Sequence, residues 1–445
     1  MKVPARAPQF ADLAKSLGQN KLSQVFEVMG KVDDGRYLHW DEIRYREPPH
    51  GLDHEQWWAA IKLGRERNAR VVEGLDSADG CRFRYTLPDI VLEAVHSIDS
   101  QSRGSIGVIE PNMSNTDRNR YMVSSIIEEA ITSSQLEGAA TTRKDAAAML
   151  RSGRQPQDQS ERMIVNNYLA MQKILEITDQ ELSPEVIFNL HRILTAGTLK
   201  SPGASGRLQR ADEERVRVYD ERDNTILHTP PPADRLPQRL EYLCDFANGN
   251  TNSKGFLHPV VRAIILHFWL AYDHPFEDGN GRTARALFYW SMLRSGYWLF
   301  EYLSISSLLR KAPGQYARSY LYTETDGNDL TYFIASQLRV IQLSLHALEK
   351  YLDRKQKEIK EAESRIRDSA WMNHRQRALV AHALRHPTHQ YSIESHKNSN
   401  KVAYATARAD LLALSAKGIL DQHKQGKKMI FVPNEKLAQL GSLKQ

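Results

Sequence analysis

The chain has 445 residues, of which 41% are hydrophobic and 26% charged, an ordinary globular composition with room for about three domains. Two cysteines, Cys81 and Cys244, exclude a disulfide framework. No apolar h-region opens MKVPARAPQFADLAKSLG and no apolar stretch is long enough to span a bilayer, so a cytoplasmic setting without membrane contact is expected. The net charge of +6 is unevenly placed: from Trp371 onwards 12 Lys and Arg face 4 Asp and Glu, a net +8 that leaves −2 for the rest and marks the tail as a separate module.

Residues 1–114 mix polar segments, the turn-rich PPHGLD and a Trp pair at Trp57 and Trp58, and suggest no function. The Gly/Ser/Asn-rich stretch from SIDSQSRG to PNMSNTD reads as a loop. From Arg118 to Met149 the pattern is helical, with Val123, Ile126, Ile127, Ala130 and Ile131 on one face. A helix is expected from about Glu161 to Ile177, and another in SPEVIFNLHRILTAG, where Ser183 and Pro184 fit N-cap and N1. RVRVY and TILHT flank DERDN and predict a short β-hairpin, ended by Pro230, Pro231 and Pro232. Helices resume near Asp234. HPVVRAIILHFWLAYD is apolar nearly all round, as a buried central helix would be, and ARALFYWSMLRSG is a second. A long helical run from about Leu330 to Ala370 becomes charged after Lys350 and reads as a connector.

The tail predicts a helix in WMNHRQRALVAHALRHP stopped by Pro387. SIESHKNSN and YATARADLLALSAKG then give two helices around a turn, and ILDQHKQGKKMIFVP gives two strands around a basic Gly turn. That order is a winged-helix pattern. Lys401, Tyr404, Thr406 and Arg408, at the start of the second helix, are the candidate DNA contacts, with Lys427 and Lys428 on the wing. Dimerisation or protein contact through the same module stays open.

The chemistry concentrates in HPFEDGNGRTAR, His274 to Arg285. Gly279, Asn280 and Gly281 allow a tight turn whose N–H groups face a ligand, and the helix that starts there attracts anions. Arg282 and Arg285, three apart, share the first turn and suit a polyphosphate. Asp278 offers a hard oxygen for Mg²⁺. His274 is the one group with a near-neutral ordinary pKa, suited to general base work, and Phe276 serves as an anchor in the core. A plain turn with solvated arginines is the alternative. Upstream, Glu137 continues the apolar stripe of its helix; it is either a buried carboxylate in need of a cation or a solvated helix-end residue before a Gly138 C-cap.

The twelve-residue stretch resembles the signature of the Fic family, His-x-Phe-x-Asp/Glu-Gly-Asn-Gly-Arg-x-x-Arg, at every fixed position. The resemblance spans roughly residues 115–345. It implies a helical Fic-type domain with a short β-hairpin flap; with the connecting helix at 346–370 and the winged-helix domain at 371–445 read from the residues themselves, the expected fold is mainly α. It implies a protein adenylyltransferase that moves AMP from ATP to a protein hydroxyl and releases pyrophosphate. His274 would take the hydroxyl proton and Asp278 would hold Mg²⁺ on the α and β phosphates. The Gly279–Gly281 backbone would cradle the anion, and Arg282 and Arg285 would grip the outer phosphates. Ser133-x-x-x-Glu137-Gly138 is similar to the family's inhibitory motif, which implies an inhibitory helix at about 119–138 whose Glu137 pairs with Arg285. The flap, through Val216, Val218, Thr225 and Leu227, would dock the target by strand addition. The implied partners are ATP, a protein target that includes the chain itself by auto-modification, and DNA or a protein at the tail; a homodimer stays open. Two alternatives remain: a nucleotide-sensing regulator without turnover that acts through its winged helix, and a Fic enzyme that transfers UMP or phosphate or removes AMP.

Overall fold

Helices dominate the computed structural model, as expected, and the strands are few and short. It describes residues 3–30, 32, 35–102, 115–220, 224–250, 255–386, 389–425, 428–434 and 437. The chain divides into two compact units, Met1–Arg103 with Ser125–Leu345, and Gly104–Ser124 with His346–Gln445. No helix among the described residues is long and apolar enough to cross a membrane.

The N-terminal part of the first unit holds α1 (Phe10–Ser16), α2 (Gly18–Val28), α3 (Trp40–Ile43), α4 (His54–Arg67), the antiparallel strands β1 (Arg70–Asp76) and β2 (Arg82–Tyr85), and α5 (Asp89–Ser102). Helix α5 corrects the loop expected at SIDSQS. Val91, Ala94, Val95 and Ile98 bury one face, and that burial outweighs the weak helix propensity of the serines around Asp99. Arg103 and the rest of that loop, through Ser114, lie outside the described residues.

Next come α6 (Asn115–Leu136), of which only the part from Ser125 belongs to this unit, α7 (Arg143–Ser152), α8 (Gln159–Glu176) and α9 (Pro184–Thr195), then the two-strand hairpin of β3 (Val218–Tyr219) and β4 (Ile226–His228). The helical pattern read through to Met149 is two helices. The chain turns at Gly138 (φ 92) and restarts at Thr142, whose hydroxyl caps α7. Ser183 caps α9 with Pro184 at N1, as the sequence indicates. The unit continues with α10 (Leu236–Asn248), α11 (Pro259–Asp273), α12 (Asn280–Arg294), α13 (Ser306–Lys311), α14 (Pro313–Thr325) and the start of α15 (Thr331–Asp368). In α11 every residue from Ala263 to Leu270 is buried, including Phe268 and Trp269, so this helix is the axis of the core.

A buried polar network ties the N-terminal helices to the α14–α15 junction. Lys62 Nζ lies 2.9 Å from Asp326 Oδ1, and Tyr332 donates to Asp326 Oδ2 at 2.8 Å. Arg65 donates to the Tyr332 hydroxyl at 2.7 Å and stacks 3.6 Å from the centre of the Tyr37 ring, while Tyr37 donates to Asp329 at 2.6 Å.

The second unit carries α16 (His374–Arg385), β5 (Tyr391–Ser392), α17 (Ile393–Asn400), α18 (Tyr404–Ala416), β6 (Leu420–Gln425) and β7 (Lys428–Pro433). Strand β7 lies between β5 and β6, antiparallel to both, and β5 is an addition to the expected pair. Two residues are too few for a period-2 pattern to announce a strand. Val380, Ala407, Leu411, Leu414 and Phe431 form the core, and the buried Asp410 accepts from Asn373 and Arg375 at 2.7 Å each. Helix α16 ends at Arg385; Pro387, the expected stop, lies outside the described residues.

Lys62→Met would leave Asp326 buried without its cation, a kind of loss that typically costs about 3–5 kcal/mol. Denaturant melts are expected to show a drop of that order, partly recovered by Lys62→Met with Asp326→Asn. A double variant as unstable as the single one would contradict the pairing.

Candidate functional site

The site is built on the way α11 stops. His274 adopts left-handed angles (φ 45, ψ 52) immediately before Pro275. A proline disfavours helical geometry in the residue before it, so the chain leaves the helix there. The left-handed turn costs a non-glycine residue about 1–2 kcal/mol. Phe276 is fully buried and stacks on His191 with ring centres 3.9 Å apart. Asn280 closes the loop: its Oδ1 accepts from Phe276 N, and its Nδ2 donates to Phe276 O, each at 2.9 Å. Gly279 (φ 84) passes so close to α9 that a Cβ would strike Thr195. It caps α12 without a side chain, so the first N–H groups of that helix have no side-chain acceptor.

Two histidines are held neutral around this loop. Burial pushes His274 down to about 4, helped by the charge of His228 and opposed by Glu137 and Asp278. Burial likewise pushes His191 down to about 4. Its Nδ1 accepts from Gly206 N at 2.9 Å, so Nε2 carries the proton donated to Asp278 O at 2.8 Å.

Both signature arginines are buried and already bonded. Arg282 Nη1 donates to Leu194 O at 2.8 Å, Nη2 lies 3.5 Å from Asp278 Oδ2, and Nε has no partner. Arg285 Nε donates to Ser133 Oγ at 2.8 Å, and Nη2 donates to Ser133 O at 3.0 Å and to Glu137 Oε1 at 2.9 Å. Glu137 sits one residue past α6 with its side chain 27% exposed, and its carboxylate fills the space that a Cβ on Gly281 would need. Helix α6 is fixed by a second acid. Glu129, 1% exposed, accepts from Tyr289 at 2.9 Å, from Ser304 Oγ and Ser306 N at 3.0 Å each, and from the Ser306 hydroxyl.

A cavity of about 420 Å³ is lined by His274, Asp278, Gly279, Asn280, Gly281, Glu137 and Val216, whereas the buried Arg282 and Arg285 do not line it. Gln159, Thr198, Lys200 and Glu277 also line it. The sequence reading did not single these out, and neither His191 nor Glu129 was among its candidates. Glu277 lies inside HPFEDGNGRTAR itself, and only the positions of the others in α8, α6 and around α9 could have hinted at them. The Asp278 side chain is 51% exposed and lines the cavity, with Oδ1 accepting from Gly279 N at 2.5 Å. No group of three or more potential ligands occurs among the described residues. One carboxylate beside an anion cradle fits Mg²⁺, which binds through one or two carboxylates and substrate phosphates.

The hairpin is shorter than expected, with Val218 paired to His228 and Tyr219 to Ile226. Val216 reaches the cavity; Val218, Thr225 and Leu227 do not line it. Glu221–Asp223 lie outside the described residues. His228 bridges Glu324 at 2.9 Å and Tyr272 O at 2.7 Å; burial opposes its charge, but the Glu324 carboxylate outweighs burial and raises its pKa. In the tail, Lys401, Tyr404, Arg408 and Lys428 are exposed and Thr406 is half-buried, while Lys427 lies outside the described residues.

Residues 181–292 match the Fic/DOC family model, so the chain carries a Fic domain, and His274, Asp278 and Gly279–Gly281 of the cavity fall within the match while Glu137 and Gln159 lie before it. Over 124 residues the chain is 32% identical to protein adenylyltransferase fic-1 of Caenorhabditis elegans, a match covering 28% of this chain and 22% of the relative. Over 70 residues it is 40% identical to protein adenylyltransferase Fic of Drosophila willistoni, covering 16% and 14%. The chain thus spans less than a quarter of the length of these curated relatives. The crystal structure of a Fic family protein from Desulfovibrio desulfuricans G20 shares the fold, with a TM-score of 0.51 at 18% identity over 79% of this chain and 98% of that one.

Acid should loosen the first unit. His274, His191 and His39 are depressed to about 4 and His267 to about 3, all chiefly by burial, from an ordinary 6.5. Between 6.5 and about 4 the unfolded chain binds more protons than the folded one, so stability is lost as pH falls through that window. His228 has the opposite sign: its contribution is present below 6.5 and lost as pH rises through its raised value. Denaturant midpoints measured from pH 7 to about 4 are expected to decline; a flat profile would contradict neutral buried imidazoles.

Proposed function

We propose that this protein is an adenylyltransferase that moves AMP from ATP onto a hydroxyl of a protein, including its own chain, and that Glu137 holds it inhibited. The observation that carries this reading is the single cavity shared by His274, Asp278, the Gly279–Gly281 cradle and Glu137. It is also supported by the Fic domain at 181–292 and by relatives named protein adenylyltransferase.

In this reaction His274 is the general base. With its pKa near 4 it is neutral at physiological pH and free to accept the hydroxyl proton. The hydroxyl oxygen bonds to the α-phosphorus, the bond from that phosphorus to the bridging oxygen of the β-phosphate breaks, and pyrophosphate leaves with the electron pair. The N–H groups at the start of α12 hold the phosphates, and Asp278 would hold Mg²⁺. That ion, when bound, neutralises phosphate charge. Arg285 reaches the outer phosphates only when Glu137 lets it go. With Glu137 in place the cradle presents a carboxylate to an anion, and ATP sits misaligned. A misplacement of about 1 Å can cost roughly 10²-fold in rate. The flap registers the target backbone through its exposed edge, where Tyr219 and Ile226 are each 46% exposed.

The second unit is proposed to be a winged helix. The order helix, strand, helix, helix and two strands supports it, and exposed Lys401, Tyr404, Arg408 and Lys428 at the start of α18 and on the wing support a contact with duplex DNA. A partner protein is the alternative occupant.

His274→Ala is expected to lower transfer from radiolabelled ATP by about 10²–10⁴-fold with ATP affinity little changed; undiminished labelling would remove His274 from the mechanism. Glu137→Gly should raise labelling strongly, and adding Arg285→Ala should take much of that gain away. A Glu137→Gly protein no more active than its parent would end the inhibition reading. Competition with UTP, and assay for release of AMP from a labelled product, separate the other Fic chemistries. For the tail, Lys401→Ala with Arg408→Ala in the full chain should weaken duplex binding and make the log–log salt slope shallower by about 0.9 per lost phosphate contact. Absence of any duplex binding at low salt would favour the protein partner.

A further inference from the structure

The side chain of Asp273 is held within the helices by Arg239 and Trp269, but the carbonyls of the turn that carries His274 are held from the flap side. A helix leaves its last carbonyls unsatisfied, and cations at that end interact favourably with them. Here the carbonyls of four consecutive residues all accept bonds from the hairpin or its stem. Tyr272 O accepts from His228 Nε2 at 2.7 Å, at the end of β4. Asp273 O accepts from Arg215 Nη2 at 2.6 Å and His274 O from Arg215 Nη1 at 3.1 Å. Pro275 O accepts from the backbone N–H of Gln209 at 2.9 Å.

Arg215 also spans the hairpin's two stems. Its Nε donates to Pro231 O at 2.9 Å beyond β4, and its Nη1 to Gln209 Oε1 ahead of β3. His228 faces acceptors on both ring nitrogens, Tyr272 O and the Glu324 carboxylate, so the imidazolium satisfies both.

We infer that Arg215 and His228 are positioning residues that make the flap and the base one mechanical unit: the side chains that fix the target-docking hairpin also fix the left-handed turn at His274. This rests on the proposed transferase reading for its consequence, not for its geometry. Besides the bonds it receives from α10, α11 and Asn280, the strained turn is stabilised by four carbonyl bonds that exist only while the hairpin and its stem are seated. A target strand added to the flap is thereby referenced to the base without any contact of its own with α11. A flap displaced by about 1 Å takes the base with it, and roughly 10²-fold in rate follows.

The test uses the full chain carrying Glu137→Gly, into which Arg215→Met, Arg215→Lys and His228→Phe are introduced singly. Amide hydrogen exchange is followed by mass spectrometry, and auto-labelling and affinity are measured with Mg·ATP. Arg215→Met and His228→Phe are expected to speed exchange about 10-fold or more both in 216–229 and in 274–281, with α8 unchanged. They should also lower the labelling rate about 10–100-fold at unchanged ATP affinity. Arg215→Lys should recover part of both effects. Faster exchange confined to the flap, uniform acceleration across the first unit, or no change would each overturn the coupling. If the Glu137→Gly parent labels nothing, the transferase reading fails, while the exchange comparison still decides the coupling.

Discussion

Two hydrogen bonds between one asparagine and one phenylalanine hold the candidate site in shape. Asn280 takes the N–H and the carbonyl of Phe276 together, and so fixes the loop between α11 and α12 from inside. With that loop closed, Phe276 is committed to the core against His191, and Gly279 is pressed against Thr195. The first turn of α12 then faces the same cavity as His274. A buried amide whose partners are both backbone groups leaves little freedom for the residues between, so the cradle is preorganised before any ligand arrives.

The charges around this loop are almost all spoken for. Arg282 is engaged by Leu194 and Asp278, and Arg285 by Ser133 and Glu137. His274 and His191 are neutral by burial. Buried cations bonded mainly to carbonyls, hydroxyls and two partly exposed carboxylates are incompletely neutralised, which suits the polyphosphate ligand proposed above. The unpartnered Nε of Arg282 points the same way. The proposed inhibition fits that accounting, because Glu137 supplies in advance part of the negative charge the site is built to receive.

How much of this was legible in the sequence depended on how local the signal was. HPFEDGNGRTAR places the proposed base, the proposed cradle and both arginines within twelve residues, and α11 and α12 are long and apolar enough to be read by periodicity. Ser183–Pro184 marked the start of α9 because a cap and an N1 proline are adjacent in sequence. By contrast, the role of His191 depends on Gly206 and Asp278, and that of Glu129 on Tyr289, Ser304 and Ser306, all distant along the chain. Arg215 and His228 looked like ordinary members of a hairpin, since nothing near them announces that α11 ends beneath them. The N-terminal helices were illegible for a similar reason: Lys62, Arg65 and Tyr37 make sense only beside Asp326, Asp329 and Tyr332. The wing residue Lys427 and the stop at Pro387 fall outside the described residues.

The position of Glu129 bears on how an inhibited molecule would leak. Its four donors clamp α6 about 12 Å, or eight residues, before Glu137. Withdrawing Glu137, which sits past the helix beside the Gly138 turn, need disturb neither Ile126 and Ile127 nor the fully buried Ile131 and Ser134. The bonds at stake are the one from Arg285 to Glu137 and the one from Glu137 N to Ser134 O, while Ser134 and Asn167 keep the helix end tied to α8. Opening of a turn at a helix end is fast compared with enzymatic turnover, which runs at roughly 1–10³ per second. Open and closed forms would then re-equilibrate many times within each catalytic cycle. Basal output would be a fixed fraction of full output, set by an equilibrium constant and not by a waiting time, and a small shift in that constant would scale it smoothly, as a rheostat does.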